Sequence, residues 1–433
     1  MSHRNIINQI DWISILIYLM LVCIGWVCIY ATGYDPETTQ LFDFNQYHTK
    51  QFFFIISSFV LIIVILSIEA KFYERFSSIF FIISLILLAG LFVFGKKING
   101  ATAWYSFGAI TIQPAEFAKV ATALIFAKQL SSIQIDIRNL NDLLKILLII
   151  AIPCGLIILQ PDPGSVLVYA SFIFILYREG MKPLFMFIII LFASLFIATL
   201  KFGVSETIII FIFLTLLYGY WVKRKTKFIP FKNMFLLITI CLFICLSTSI
   251  IYNQVFKPHH RDRFSLWLRL DNDITRNAQL RQTAGYNTYQ SESAISSGGL
   301  TGKGFLEGTR TKGGFVPEQH TDYIFTTLGE EWGFYGTSTV VILFTLLLLR
   351  LWFLAERQRS AFNRIYGYSV VSILFIHFCV NIGMVIGLLP TIGIPLPFFS
   401  YGGSGLWGFT MLLFIFLRLD ASRGDSWASD FYH

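Results

Sequence analysis

Charge is scarce in this chain. Asp, Glu, Lys and Arg make up 13% of its 433 residues, about half the share usual in a water-soluble domain. So few charges cannot clothe a globule in water, which excludes an ordinary soluble enzyme. Cysteine is scarce as well: Cys23, Cys28, Cys154, Cys241, Cys245 and Cys379 all stand in apolar runs. They show neither zinc spacing nor a disulfide framework, and read as small hydrophobes packing between helices. There is no low-complexity segment and no inverted internal repeat of the transporter kind. The net charge of +8 is not a nucleic-acid signal either. Basic residues gather in short loops at Lys71/Arg75, Arg178/Lys182, Lys223 to Lys227, Arg350 to Arg364 and Arg418/Arg423, as they do on the cytoplasmic side of a membrane protein.

What the chain has in abundance is apolar length. Hydrophobic residues reach 55%, aromatics 17%, with 45 phenylalanines. Runs close to 20 residues must satisfy their own backbone in lipid as helices. Spans are expected near 13–31, 51–69, 77–95, 114–130, 142–160, 164–180, 183–200, 205–222, 232–252, 324–350, 366–389 and 398–418. The expected fold is therefore all-α: a polytopic integral membrane protein of about 10–12 transmembrane helices, taken as one domain over 1–433. The run 13–31 lacks a small-residue cleavage site and reads as a retained helix. Both termini are expected in the cytoplasm, with 32–50, 96–113, 253–323 and 388–400 on the outer side.

Residues 253–323 form the one large polar loop, and they concentrate the charge that the rest avoids. Charge inside lipid is expensive, so chemistry belongs beside such a loop. Glycines at 298, 299, 302, 304 and 308 permit close backbone approach to a ligand. Lys303, Arg310 and Lys312 add positive charge there and suit a phosphate-bearing group. No GKS or GKT follows, so this is not a P-loop. In VPEQHTDYIF, the residues Glu318, His320 and Asp322 are either a helix-start hydrogen-bond network or ligands for a divalent cation. His259 and His260, beside Arg261 and Arg263, read as an interfacial basic collar.

Three further motifs punctuate the apolar runs. In QPAEFAK, Pro114 suits a helix start, and Glu116 and Lys119 share one face at i, i+3. They form a structural ion pair, a polar cavity, or both. In QPDPGS, two prolines and a glycine force a turn and Asp162 is placed to cap the next helix. The last outer turn, NIGMVIGLLPTIGIPLPFFSYGGSG with Ser400 near its end, is irregular chain at membrane depth. Such backbone survives only under protein or beside a cavity, so it is expected to line a groove open to an amphiphile.

In order and orientation these motifs, with AGYNTYQSESAISSGGLTGKGFLEGT and GEEWGF, resemble the SEDS family (shape, elongation, division and sporulation), and most closely its RodA-type peptidoglycan glycosyltransferases. The resemblance runs from the first span to the last. It implies polymerisation of an undecaprenyl-pyrophosphate-linked disaccharide–peptide precursor, lipid II, on the outer leaflet of the bacterial cytoplasmic membrane. It also implies a class B penicillin-binding transpeptidase as partner. The family's catalytic Asp precedes the Gly-Tyr motif; Asp273 is the residue chosen for that role, Asp271 the alternative. Glu116 and Lys119 match the family's charged pair, and Glu318, His320 and Asp322 its PExHTD motif. The chain departs from the pattern by the insert ITRNAQLRQTA before Gly285, by Ala103 where many members have Arg, and by an extra helix pair within 183–252. The implied chemistry needs a base for the attacking hydroxyl and cations for the diphosphate. A flippase of the same lipid, a division-specific polymerase and a scaffold that activates a transpeptidase are the rival readings.

Overall fold

The computed structural model describes residues 9–34, 43–98, 100–108, 110–226, 231–256, 258–270, 280, 282–283 and 285–423. The helices are α1 (Trp12–Thr32), α2 (Tyr47–Ser67), α3 (Ala70–Phe94), α4 (Pro114–Leu130), α5 (Leu140–Leu159), α6 (Pro163–Tyr169), α7 (Phe172–Arg178), α8 (Pro183–Phe202), α9 (Val204–Thr226) and α10 (Phe231–Ile250). They continue with α11 (Pro258–Leu268), α12 (Tyr286–Gly298), α13 (Thr309–Lys312), α14 (Ile324–Glu356), α15 (Ala361–Val385) and α16 (Gly403–Ala421). Between α3 and α4 the expected outer loop folds into an antiparallel sheet, β1 (Lys96–Ile98), β2 (Ala101–Phe107) and β3 (Ile110–Ile112), in the order β1-β2-β3. Lys96 pairs with Trp104, and Phe107 with Ile110.

Among the described residues, ten helices are long and apolar enough to cross a membrane. Each coincides with an expected span. The other two expected spans are α4, which is only 17 residues long, and the 163–178 run, which breaks between α6 and α7. This is a multi-pass, all-α membrane protein with a small sheet added.

The chain forms two compact units, one of residues 1–181 with 290–433, the other of 182–289. In the first, α4 is the central helix and packs on α3, α5, α15 and α16. Its alanines at 115, 118, 121, 123 and 127 are all buried and let neighbouring backbones come close, as small residues do in membrane interiors. Large apolar side chains such as Ile63, Ile86 and Phe94 point outward instead; in lipid that outward face is the solvated one. In the second unit α8, α9 and α10 pack around Leu195, Cys241, Ile244 and Cys245. Thr199 donates to the Leu195 carbonyl at 2.7 Å and contacts Cys245 Sγ at 3.3 Å. These cysteines are packing residues, and all six thiols are free.

Ion pairs bind one end of the first unit. Arg350 pairs with Asp11, Arg357 with Asp420, Arg178 with Glu356 at 2.8 Å and Arg364 with Glu179 at 3.0 Å. Arg418 donates to the Ile68 carbonyl at 2.8 Å. The start of α1, the end of α2, the end of α7, the end of α14, the start of α15 and the end of α16 therefore meet there. By alternation, the opposite ends of the same helices meet at the other pole, where the motifs within the described residues of this unit lie.

Candidate active site

Helix α4 begins at Pro114, whose missing N–H matters little at a first helical position. Glu116 in the first turn and Lys119 one turn on form an ion pair at 2.8 Å, and both side chains are almost fully buried. Lys119 Nζ lies 2.9 Å from His377 Nε2 and 5.0 Å from the centre of the Phe409 ring. The His377 ring stands edge-on to Phe409 and its Nδ1 is 3.1 Å from the Pro395 carbonyl. A continuous polar chain thus leads from α4 across α15 to the turn at 388–400.

QPDPGS reaches the same turn from another side. Asp162 accepts from Ser165 N at 3.1 Å, from Ser165 Oγ at 2.7 Å and from Gln113 Nε2 at 2.9 Å, so the expected helix cap is present. A Cβ placed on Gly164 would lie 3.0 Å from the Gly393 carbonyl. On α15, Asn381 sits one turn beyond His377; its Nδ2 donates to Asp322 O at 2.8 Å and to Ile394 O at 2.7 Å.

PEQHTDY and the last turn are laced together. Ser400 Oγ donates to Thr321 O at 2.7 Å and accepts from Leu396 N at 2.9 Å. Tyr401 N donates to His320 O at 2.9 Å, and the Tyr323 hydroxyl lies 3.2 Å from that of Thr391. The His320 ring stacks on Tyr47 at 4.0 Å between centroids and meets Tyr401 edge-on at 5.6 Å. Burial holds His320 below its ordinary value of 6.5, against a weaker opposing pull from Glu318. Burial, and then the adjacent Tyr47, push the Tyr401 phenol up to about 12. Gln319 Nε2 donates at 3.1 Å to both Thr32 O and Thr311 O, tying the motif to α1 and α13.

The glycine-rich segment meets the start of α14. Gly333 breaks that helix at φ 61°, ψ −154°, and a Cβ on it would strike the Gly302 nitrogen. Gly302, at φ 82°, lies just as tightly against the Glu331 carbonyl. Backbone approach between chain segments is what these two glycines permit. The buried Glu330 carboxylate then gathers Lys303 Nζ at 2.7 Å, Arg310 N at 2.9 Å, and Thr311 N and Oγ1 at 2.8 and 2.7 Å. Lys303 is therefore paired within the protein. The Arg310 guanidinium donates to Gln290, while Lys312 is exposed, its Nζ 6.0 Å from the Tyr34 ring centre.

The expected site residues thus fall into three linked groups: Glu116 and Lys119 with His377; His320, Asp322 and Ser400 with Asn381; Lys303 and Arg310 with Glu330. Glu318 accepts from Thr321 Oγ1 at 3.1 Å rather than joining His320 and Asp322 about a common centre. Among the described residues, no cluster of three or more His, Cys, Asp or Glu side chains is arranged to hold a metal ion. Lys96 and Lys97 are exposed on β1, and Ala103 is buried in β2. Asp273 and Asp271 lie outside the described residues, as do the side chains of His259 and His260. His377 lies in none of the sequence motifs, while Asn381 and Glu330 stand inside NIGMV and GEEWGF without being singled out as site residues. The available signal was a polar residue inside an apolar helical run, which lipid tolerates only with a partner.

Comparison with known proteins decides the family. The profile of the FtsW, RodA and SpoVE family of cell cycle proteins matches residues 11–236 and 228–424. The chain belongs to that family. It is 32% identical over 348 residues to the peptidoglycan glycosyltransferase MrdB of Escherichia coli K12, covering 80% of this chain and 78% of that one. To the peptidoglycan glycosyltransferase RodA of Treponema pallidum it is 29% identical over 425 residues, covering 93% and 95%. A solved chain from a peptidoglycan synthase complex that coordinates polymerization and crosslinking shares the fold, with TM-score 0.68, 24% identity, and coverage of 96% and 98%. As a member of the FtsW, RodA and SpoVE family the chain is a membrane-embedded glycosyltransferase, and the motifs described in its first unit meet at one pole of that unit.

Proposed function

We propose that this chain polymerises lipid II, the undecaprenyl-pyrophosphate-linked disaccharide–peptide, into glycan strands at the outer face of the bacterial cytoplasmic membrane, in the service of elongation and cell shape. The observation that carries the reading is the polarity of the first unit. Arginine ion pairs close one pole, as on a cytoplasmic face, and the described motifs of this unit, QPAEFAK, QPDPGS, the glycine-rich segment, PEQHTDY and the last turn, gather at the other. On this reading both termini are cytoplasmic and the 253–323 segment faces outward. The acceptor sugar hydroxyl attacks the anomeric carbon of the donor, the bond to the lipid pyrophosphate breaks, and a carboxylate takes the hydroxyl proton. Asp273 is the residue assigned to that proton, with Asp271 as the alternative. Arg310 and Lys312, both on α13, neutralise the departing diphosphate.

The proline-rich turn at 388–400 holds the lipid-linked sugars, braced by the buried Glu116–Lys119 pair through His377. A class B penicillin-binding transpeptidase is the proposed partner; the fold shared with a synthase complex that couples polymerization to crosslinking supports it. The test supplies fluorescent lipid II to the purified chain in liposomes. A glycan ladder that a muramidase digests is expected. Transfer of the labelled lipid across the bilayer without polymer would replace the polymerase with a flippase.

A further inference from the structure

We propose that His377 is a positioning residue that ties the buried Glu116–Lys119 pair to the backbone of the last outer turn. Its protonation pattern follows from its neighbours. An ammonium only donates and a carbonyl only accepts. Nε2, 2.9 Å from Lys119 Nζ, therefore accepts, and Nδ1, 3.1 Å from the Pro395 carbonyl, carries the proton. His377 is a neutral imidazole held in one tautomer by a cation on one side and a peptide oxygen on the other.

The Pro395 carbonyl needs this donor. Residues 391–396 carry no helix or strand, so their peptide groups must find partners elsewhere. Asn381, four residues on along α15, holds the preceding carbonyl, Ile394 O, at 2.7 Å, and Asp322 O at 2.8 Å. Two side chains on one face of one helix thus hold two consecutive carbonyls of the turn. Of the two, His377 alone also touches the ion pair. The edge-on Phe409 ring at 4.7 Å fixes the imidazole plane. Displacement of Lys119 would be felt at Pro395 through a single rigid ring.

The substitutions follow from this geometry. His377→Gln offers a carboxamide oxygen to Lys119 and an N–H to Pro395. His377→Asn is too short to reach both at once, and His377→Leu reaches neither. Two readouts apply to the purified chain. Hydrogen exchange of the 391–401 amides tests the tie without reference to activity. Exchange should stay as in the parent for Gln and rise at least tenfold for Asn and Leu. The second readout, kcat and KM for lipid II, rests on the polymerase reading. The Gln variant should keep kcat within about threefold, while Asn, and Leu where it accumulates, lose about 10–100-fold in kcat with KM little changed. Equal exchange in the Gln and Asn variants overturns the proposal, whatever the kinetics. A parent protein that does not polymerise overturns the polymerase reading alone, since the exchange comparison still decides the role of His377.

Discussion

Glu116 and Lys119 sit 2.8 Å apart with almost no solvent, so each is tolerable only because of the other. Removing one partner of such a pair leaves a bare charge and costs roughly 3–5 kcal/mol. Glu116→Gln or Lys119→Met alone should therefore lower the thermal midpoint in detergent far more than the two together; strictly additive losses would show that the pair is not coupled. His320 makes a pH prediction. Its value in the fold lies below the ordinary 6.5 because it is buried. The unfolded chain therefore binds a proton that the fold refuses, and stability is full above pH 6.5 and declines as pH falls from there through the folded value. His320→Phe keeps the stack on Tyr47 and should flatten that decline. An unchanged acid profile would assign it to other groups. At this scale the sequence was partly legible: QPAEFAK placed the ion pair by spacing alone. His377 was not legible, since a lone histidine in an apolar run does not say which partner it meets.

Helix α14 shows where an element is decided by contacts far along the chain. Its apolar pattern announced a span from 324 onward, yet the break at Gly333 and the docking of the glycine-rich segment come from tertiary approach that no periodicity encodes. By sequence the glycines at 298–308 suit a cradle for phosphate; in the fold, Gly302 and the more distant Gly333 let two backbones touch, and Lys303 answers Glu330. This separates two neighbouring positions. Gly302→Ala would drive a Cβ into the Glu331 carbonyl, whereas Gly299, also at positive φ, has open space around it. Left-handed strain alone costs about 1–2 kcal/mol. Gly299→Ala should lose about that much and Gly302→Ala distinctly more, measured by thermal unfolding; equal shifts would mean the close approach carries no weight. The helices themselves were legible because apolar runs of span length have few other fates. The sheet of β1 to β3 was not, being made of short strands in a stretch read as loop.

For the whole molecule, family, fold class and the number of long apolar runs are legible in the residues themselves. What they do not reveal is that four motifs spread from residue 113 to 401 converge on one pole of one unit. That convergence gives a topology prediction. In a cysteine-free background, an impermeant maleimide added outside intact cells should label Ser296→Cys, beside the glycine-rich segment, and miss Ser360→Cys, beside the arginine pole. Both positions are exposed. The reverse pattern would turn the site toward the cytoplasm.

The most direct test of the central claim, that this chain polymerises glycan with an outer-loop carboxylate as base, is the polymerisation rate of the Asp273→Asn variant on purified lipid II. Asparagine keeps the shape and removes the basicity, and loss of a general base typically costs about 10²–10⁴ in rate. The account predicts a loss of that size with expression and thermal midpoint unchanged, and substantial activity in Asp271→Asn. If both variants polymerise at the parent rate, no carboxylate of that island is the base, and the account is contradicted.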